Sequence, residues 1–320
     1  MTLYPYKFIP IYKETIWGGR ALERLFNRPL RGDARIGESW ELADLAAGES
    51  IVAEGVDAGK SIHELMAAKG KAILGNAAPL EGNRFPLLLK LLDANQILSL
   101  QVHPDEAAAA RMGPPAALKT ECWYVLESRR GYILKGAHPG VTAEQFRQVL
   151  QGLDGELAIA DMVERIDVKA GDFHYLPAGT VHALGPGVVV AEIQTPSDTT
   201  YRVSDWGRGR EIHVREALDC IHFQPSQAAA PGHGGQTLLA SPYFDVSKRK
   251  LPLGEQAIAG GRCHAWMVLE GIGSIRSKGL REAVGIEPGS TLLLPAELEH
   301  VVVMVEEDMT ILDTTLPENR

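Results

Sequence analysis

Cysteine is scarce in this chain: three residues in 320, at Cys122, Cys220 and Cys263. An odd, widely spaced set with no CxxC pair excludes a disulfide-stapled scaffold and a cysteine-based metal site. The three read as reduced thiols, and the expected location is cytoplasmic. No run of about 18 apolar residues exists, so no transmembrane helix is expected. The opening "MTLYPYKFIPIYKETIWGGR" mixes charge and proline into its apolar residues and shows no signal-peptide core. Positive charge is in deficit, with 32 Lys and Arg against 41 Asp and Glu, for a net charge of −9. That balance argues against a nucleic-acid partner. It leaves room for an anionic small molecule, which needs only a local cluster of cations.

What is present is an ordinary globular composition, 45% hydrophobic and 23% charged, arranged as short apolar stretches broken by Gly and Pro. "FPLLLKLLD", "CWYVL", "GYILKG" and "HVVVMVEED" are typical. Such texture predicts a mainly β protein built as sandwiches or barrels. Helices are predicted at 60–70, 105–112, 142–152, 156–166 and 211–221, with Asp105–Glu106 and Thr142…Gln145 as helix starts. The stretch "QPSQAAAPGHGGQT" (224–237) reads as a linker. It divides the chain into residues 1–228 and a smaller unit, 238–320. "ECWYVLE" (121–127) resembles "HAWMVLE" (264–270), and "GDFHYLPAGTVH" (171–182) resembles "GSTLLLPAELEH" (289–300), in the same order. Two copies of one β architecture follow from that recurrence.

The stretch "SLQVHPDE" (99–106) places Gln101 and His103 at i and i+2, on one face of a strand. Buried there, both need partners, and a metal ion would be one. "GDFHYLPAGTVH" follows the spacing G-x5-P-x-G-x2-H, which resembles the second signature motif of cupins. Pro177 ends pairing because it lacks an N–H, Gly179 permits a positive φ in the bend, and His182 is aimed inward. The partner motif resembles the cupin H-x-H…E in altered form, as Gln-x-His with Glu121 following after a partly helical insertion. Gln101, His103, Glu121 and His182 supply two nitrogens and two oxygens, a set suited to Zn²⁺.

Six blocks then carry a more specific resemblance: "KETIWGG" (13–19), "IGESWEL" (36–42), "LLDANQILSLQVHPDE" (91–106), "KTECWY" (119–124), "PAGTVHALGPG" (177–187) and "EIQTPSDTTYRVSDWGR" (192–208). Together they resemble the short bacterial form of the type I phosphomannose isomerases, zinc cupins that interconvert mannose 6-phosphate and fructose 6-phosphate. The resemblance implies two cupin-like β-barrels or jelly rolls with a few inserted α-helices, the first catalytic. It places Gln101, His103, Glu121 and His182 on the ligands of one Zn²⁺ per chain. Lys119 and Arg202 fall on active-site cations, Ser99 near the phosphate contact, and Glu192 and Asp198 on acidic positions lining the pocket.

An aldose–ketose isomerase must move one proton between C1 and C2 and another between the two oxygens. The metal, Lys119 and Arg202 are expected to counter the developing charge. Glu192 is a candidate for the shuttling base, which sequence alone leaves unassigned. The structural alternatives are a solvated Lys119, an Arg202 paired with Asp198 or Asp205, and core-packing roles for Trp17, Trp40 and Trp123. Arg208 and Arg210 read as loop-fixing, and His174 as a non-ligand. The second copy lacks a QxH pair and is expected to hold no metal. Competing functions are an Fe²⁺ cupin dioxygenase and a non-catalytic sugar-binding cupin. The expected partner is a small sugar phosphate, with no nucleic acid and no membrane, and the expected state a monomer or homodimer.

Overall fold

Alternation along single strands decides which core each side chain enters. Along Glu121–Ser128, Trp123 and Val125 enter one apolar core, while Cys122 and Tyr124 enter another. Along His264–Glu270, Ala265 and Met267 share that second core, and Trp266 and Val268 fill a third. The period-two geometry of a strand thus stacks sheet on core on sheet. The computed structural model describes residues 2–152, 154–224, 236–258, 260–278, 280 and 282–318.

Four larger sheets result. A six-stranded sheet runs Phe173–Leu176, Glu121–Ser128, Val188–Gln194, Leu88–Ala94, Ile36–Leu42, Ile11–Gly19. It faces a five-stranded sheet of Val163–Asp167, Tyr132–Ala137, His182–Leu184, Leu100–Val102 and Tyr201–Ser204. The core between them holds Trp17, Leu92, Trp123, Leu184 and Val190. A seven-stranded and a four-stranded sheet form the second pair, around Trp266, Leu292, Val303 and Ile311. The molecule is therefore mainly β, two cupin-like barrels with inserted helices.

The internal repeat is exact in register. Phe173 lies opposite Tyr124 and Leu176 opposite Glu121. In the second copy the corresponding residues pair identically, Thr291 with Met267 and Leu294 with His264. Even the turn is reproduced: Gly171 N–H donates to Val125 O and Val125 N–H to Asp172 O, as Gly289 donates to Val268 and Val268 to Ser290. Gly171 and Gly289 both hold φ near +90°, at 92° and 85°, a region that glycine enters without penalty.

The chain does not divide cleanly between sheet pairs. Tyr6–Ile9 pairs with Thr291–Leu294 on one edge and Ile51–Val52 on the other, so the seven-stranded sheet takes strands from both ends of the sequence. The expected linker falls mostly outside the described residues; Thr237, its last residue, already begins a strand.

Helices form where the capping chemistry indicated. Glu106–Met112 is capped by the Asp105 carboxylate on Ala108 N–H, and Ala143–Leu150 by a Thr142–Gln145 capping box. Ile62–Leu74 has a Ser61–Glu64 box and runs four residues beyond the expected end. Val214–Cys220 matches the fifth prediction. The prediction over 156–166 is corrected: helix and 3₁₀ turn end at Met162, and Val163–Asp167 is a strand. There the β-branched Val163 and Ile166 find a sheet edge at Tyr132–Ala137, and pairing overrides helix propensity. The short helix Ala21–Phe26 was not foreseen. No described helix is long and apolar enough to cross a membrane.

Candidate metal and active site

Leu100–Val102 and His182–Leu184 are neighbours in the five-stranded sheet, with Gln101 opposite His182. Leu100, Val102 and Ala183 face outward onto a helix-covered core. The alternate residues Gln101 and His182 therefore face inward, toward the six-stranded sheet, whose strand Glu121–Ser128 begins with Glu121. Pro177 and Gly179 turn the chain as their residue types required, with Gly179 at φ 84°.

His103, Glu121 and His182 form one buried cluster with ligand atoms within 4.8 Å of one another. His103 Nε2 lies 3.4 Å from Glu121 Oε2, and His182 Nε2 lies 3.1 Å from Oε1. Each imidazole meets a main-chain carbonyl through its other nitrogen: His103 Nδ1 with Thr199 O at 2.9 Å, His182 Nδ1 with Thr180 O at 2.8 Å. A carbonyl only accepts, so Nδ1 carries the proton in both rings and Nε2 is left as a lone pair. Two lone pairs and a carboxylate thus converge with no proton between them. Among the described residues His103 Nε2 and both Glu121 oxygens make no hydrogen bond. The Gln101 amide reaches His182 Nε2 at 3.4 Å, and a half-turn of that amide presents its oxygen instead. Such a constellation is costly unless a cation fills it, so the residues present fit a bound metal ion.

The electrostatics agree. Burial, then the neighbouring Lys119 charge, push His103 down to about 3, which keeps its ring neutral. Burial alone would raise the Glu121 carboxyl, but Lys119 and the histidines outweigh it and hold it well below the usual range. Lys119 Nζ stands 3.0 Å from Glu121 Oε2.

Beside the cluster opens a cleft of ≈ 220 Å³. Ser99, Gln101, Lys119, Glu192, Asp198 and Arg202, all expected on sequence grounds, line it. Arg202 pairs with neither Asp198 nor Asp205; its Nη1 donates to Glu211 O at 2.6 Å, and its Nε has no partner among the described residues. Asp205 is instead held by Arg208 and Arg210, which fix the loop as predicted, although Arg210 also reaches the cleft. His174 lies outside the cluster of His103, Glu121 and His182. Larger clefts occur elsewhere, one of ≈ 710 Å³ lined by Arg20, Arg24, Arg35 and Arg129, but it contains none of these groups.

Sequence reasoning missed one layer of the cleft. Lys90, 5% exposed, sits between two carboxylates, 3.2 Å from Glu38 Oε2 and 3.3 Å from Glu192 Oε1. Each carboxylate also accepts an indole N–H at 2.8 Å, Glu38 from Trp40 and Glu192 from Trp123. Trp17, Trp40 and Trp123 are buried as expected, yet all three also line the cleft. Burial would lower the Lys90 ammonium, but Glu38 and Glu192 more than offset it and raise it. Burial and the Glu121 charge raise Glu192.

Two packed barrels, one enclosing a buried imidazole–carboxylate cluster, are an architecture of cupin proteins. Residues 6–133 match the family model described as phosphomannose isomerase type I, catalytic domain. The chain is 36% identical over 265 residues to the mannose-6-phosphate isomerase ManA of Bacillus subtilis, covering 78% of this chain and 81% of that one. It is 37% identical over 245 residues to the mannose-6-phosphate isomerase of Streptococcus mutans, covering 73% and 74%. The crystal structure of a mannose 6-phosphate isomerase from Bacillus subtilis superposes with a TM-score of 0.83 at 30% identity, covering 98% of this chain and 99% of that one. The chain belongs to the type I phosphomannose isomerase family.

Proposed function

We propose that the protein interconverts mannose 6-phosphate and fructose 6-phosphate in the cytoplasm, as a monomer or homodimer, with no nucleic-acid or membrane partner. The observation that carries this reading is the convergence of the unprotonated Nε2 atoms of His103 and His182 with the Glu121 carboxylate, beside a cleft that also carries Lys119, Arg202 and Glu192. Gln101, His103, Glu121 and His182 would hold one Zn²⁺, since two neutral imidazoles favour zinc or a neighbouring transition metal over Mg²⁺. When bound, the ion supplies Lewis-acid stabilisation of the charge that develops on the sugar oxygens.

The remaining work falls to the chain's own side chains. Lys119 and Arg202 bring positive charge to the cleft, to bind phosphate and offset the enediolate. Ser99 and Asp198 contribute hydrogen bonds to the sugar phosphate. Glu192 is our candidate for the carboxylate that carries a proton between C1 and C2. Its burial and the Glu121 charge bring its affinity for a proton closer to what transfer at neutral pH requires. The cationic wall favours an anionic sugar over the substrates of an iron dioxygenase.

A coupled assay that follows fructose 6-phosphate formed from mannose 6-phosphate tests the reading, run with and without chelator. Turnover that chelator abolishes and Zn²⁺ restores is expected, with Glu121→Ala losing metal and turnover together. Undiminished activity in a Glu121→Ala protein verified to be metal-free would overturn it.

A further inference from the structure

The helix Val214–Cys220 lies outside the cleft, on the outer face of the five-stranded sheet, where Ala217 and Cys220 pack with Leu100, Val102 and Ala183. A histidine stands at each end, and each is bonded to a different part of the site. His213 N–H donates to Arg202 O at 2.7 Å, and Arg202 N–H donates to His213 Nδ1 at 3.2 Å. At the other end His222 N–H donates to Gly179 O at 2.9 Å. Gly179 in turn donates its N–H to His103 O, also at 2.9 Å.

The His222 ring is seated against Gly179: a Cβ there would stand 2.5 Å from the ring's Cγ and Nδ1. Only glycine leaves room for that contact, a reason for Gly179 beyond its positive φ. The far edge of the ring, Nε2–H, donates to Asp105 Oδ2 at 3.0 Å. Asp105 is committed on both oxygens, because Oδ1 caps the following helix through Ala108 N–H at 2.7 Å. The neighbouring Pro104 carbonyl accepts Lys119 N–H at 3.1 Å, tying in the segment that leads to Glu121. One imidazole therefore bridges the loop that ends in His182 and the segment that carries Gln101 and His103.

We propose that His222 is a positioning residue for the metal site. It clamps the two ligand-bearing segments together from outside the barrel, and His213 performs the separate task of holding Arg202. This rests on the metal reading above. The clamp acts on ligand geometry, so its loss shows in metal retention before it shows in folding.

The experiment loads wild type, His222→Ala, His222→Gln and Asp105→Asn with Zn²⁺ and follows its release to excess chelator, alongside apo and loaded melting curves. His222 acts one step further out than a direct outer-shell partner, whose loss typically costs ten- to a hundredfold in affinity, so His222→Ala is expected to release zinc about three- to tenfold faster, with His222→Gln restoring most of the loss. Asp105→Asn keeps an N-cap acceptor, so its helix persists, yet it exchanges the carboxylate that holds His222 for a weaker neutral amide contact and also releases zinc faster. His213→Ala raises KM for mannose 6-phosphate and leaves zinc release unchanged. Release rates in folded His222→Ala and Asp105→Asn that equal wild type overturn the assignment, even if both melt earlier. A wild-type protein that takes up no zinc overturns the metal reading itself.

Discussion

Lys90 is the residue on which the carboxylates of the cleft depend. It is the one cation in a strand, Leu88–Ala94, whose every residue is buried; the strand's other charge, Asp93, is three residues on and faces the opposite side. An ammonium so placed cannot be solvated and must be paired. Glu38 and Glu192 supply that pairing from the two flanking strands. Lys90→Met would leave Glu192 buried near Glu121 with only the Lys119 charge to offset it, and its proton affinity would rise. The base form would then be lost at higher pH, so the acidic limb of the kcat/KM profile moves upward, and kcat falls by about 10²-fold. An acidic limb in the wild-type position would count against this role. The lysine itself was visible in "LLLKLLD"; its partners were not, because the three residues meet only when three strands are laid side by side. Arg202 shows the same limit. Asp205 is its neighbour in sequence, yet that carboxylate is taken by Arg208 and Arg210.

At the scale of elements, local chemistry was the better guide. Ser61 and Glu64 close a capping box on Ile62–Leu74, so Ser61→Ala should destabilise the protein by about 1 kcal/mol in chemical denaturation, with activity unchanged. The second barrel keeps the register of the first while carrying different side chains at the matching positions. Trp266 lies opposite Asp313 as Trp123 lies opposite Glu192. Asp313 bonds to His264 Nδ1 at 2.8 Å and Arg249 at 2.6 Å. Burial would raise the Asp313 carboxyl, but His264 and Arg249 outweigh it and hold it below its ordinary value. Its contribution to stability is thus complete above the unfolded value, near pH 4, and is lost as pH falls through the lower folded value. Asp313→Asn should cost about 1–3 kcal/mol at neutral pH and flatten the acid side of the stability curve. An unchanged acid slope would show that the pair contributes nothing.

At the scale of the whole molecule, the two barrels share material. Tyr6–Ile9 completes the sheet of the second barrel, and the core between barrels draws Leu89, Leu91 and Tyr124 from one side and Ala265, Met267 and Leu293 from the other. A chain cut after residue 228 would expose that core and strip the first strand of its Thr291–Leu294 partner, leaving it paired only with Ile51–Val52. The expected outcome is a truncated protein without a cooperative thermal transition; a soluble, cooperatively melting fragment that binds Zn²⁺ would contradict it.

The sequence by itself determined the mainly β architecture, the duplication, most helices, and the residues of the imidazole–carboxylate cluster. Those features rest on neighbours in the chain: alternation, caps, turn glycines, and histidines set a fixed distance from a bend. Tertiary structure decided the rest: the pairing of Lys90 with Glu38 and Glu192, the exposure of three tryptophans to the cleft, the bridge through His222, and the sheet built from both ends of the chain. Each of these joins residues far apart in sequence, and no local pattern records which strand will lie beside which until the sheets have closed and each buried charge has found its counter-charge.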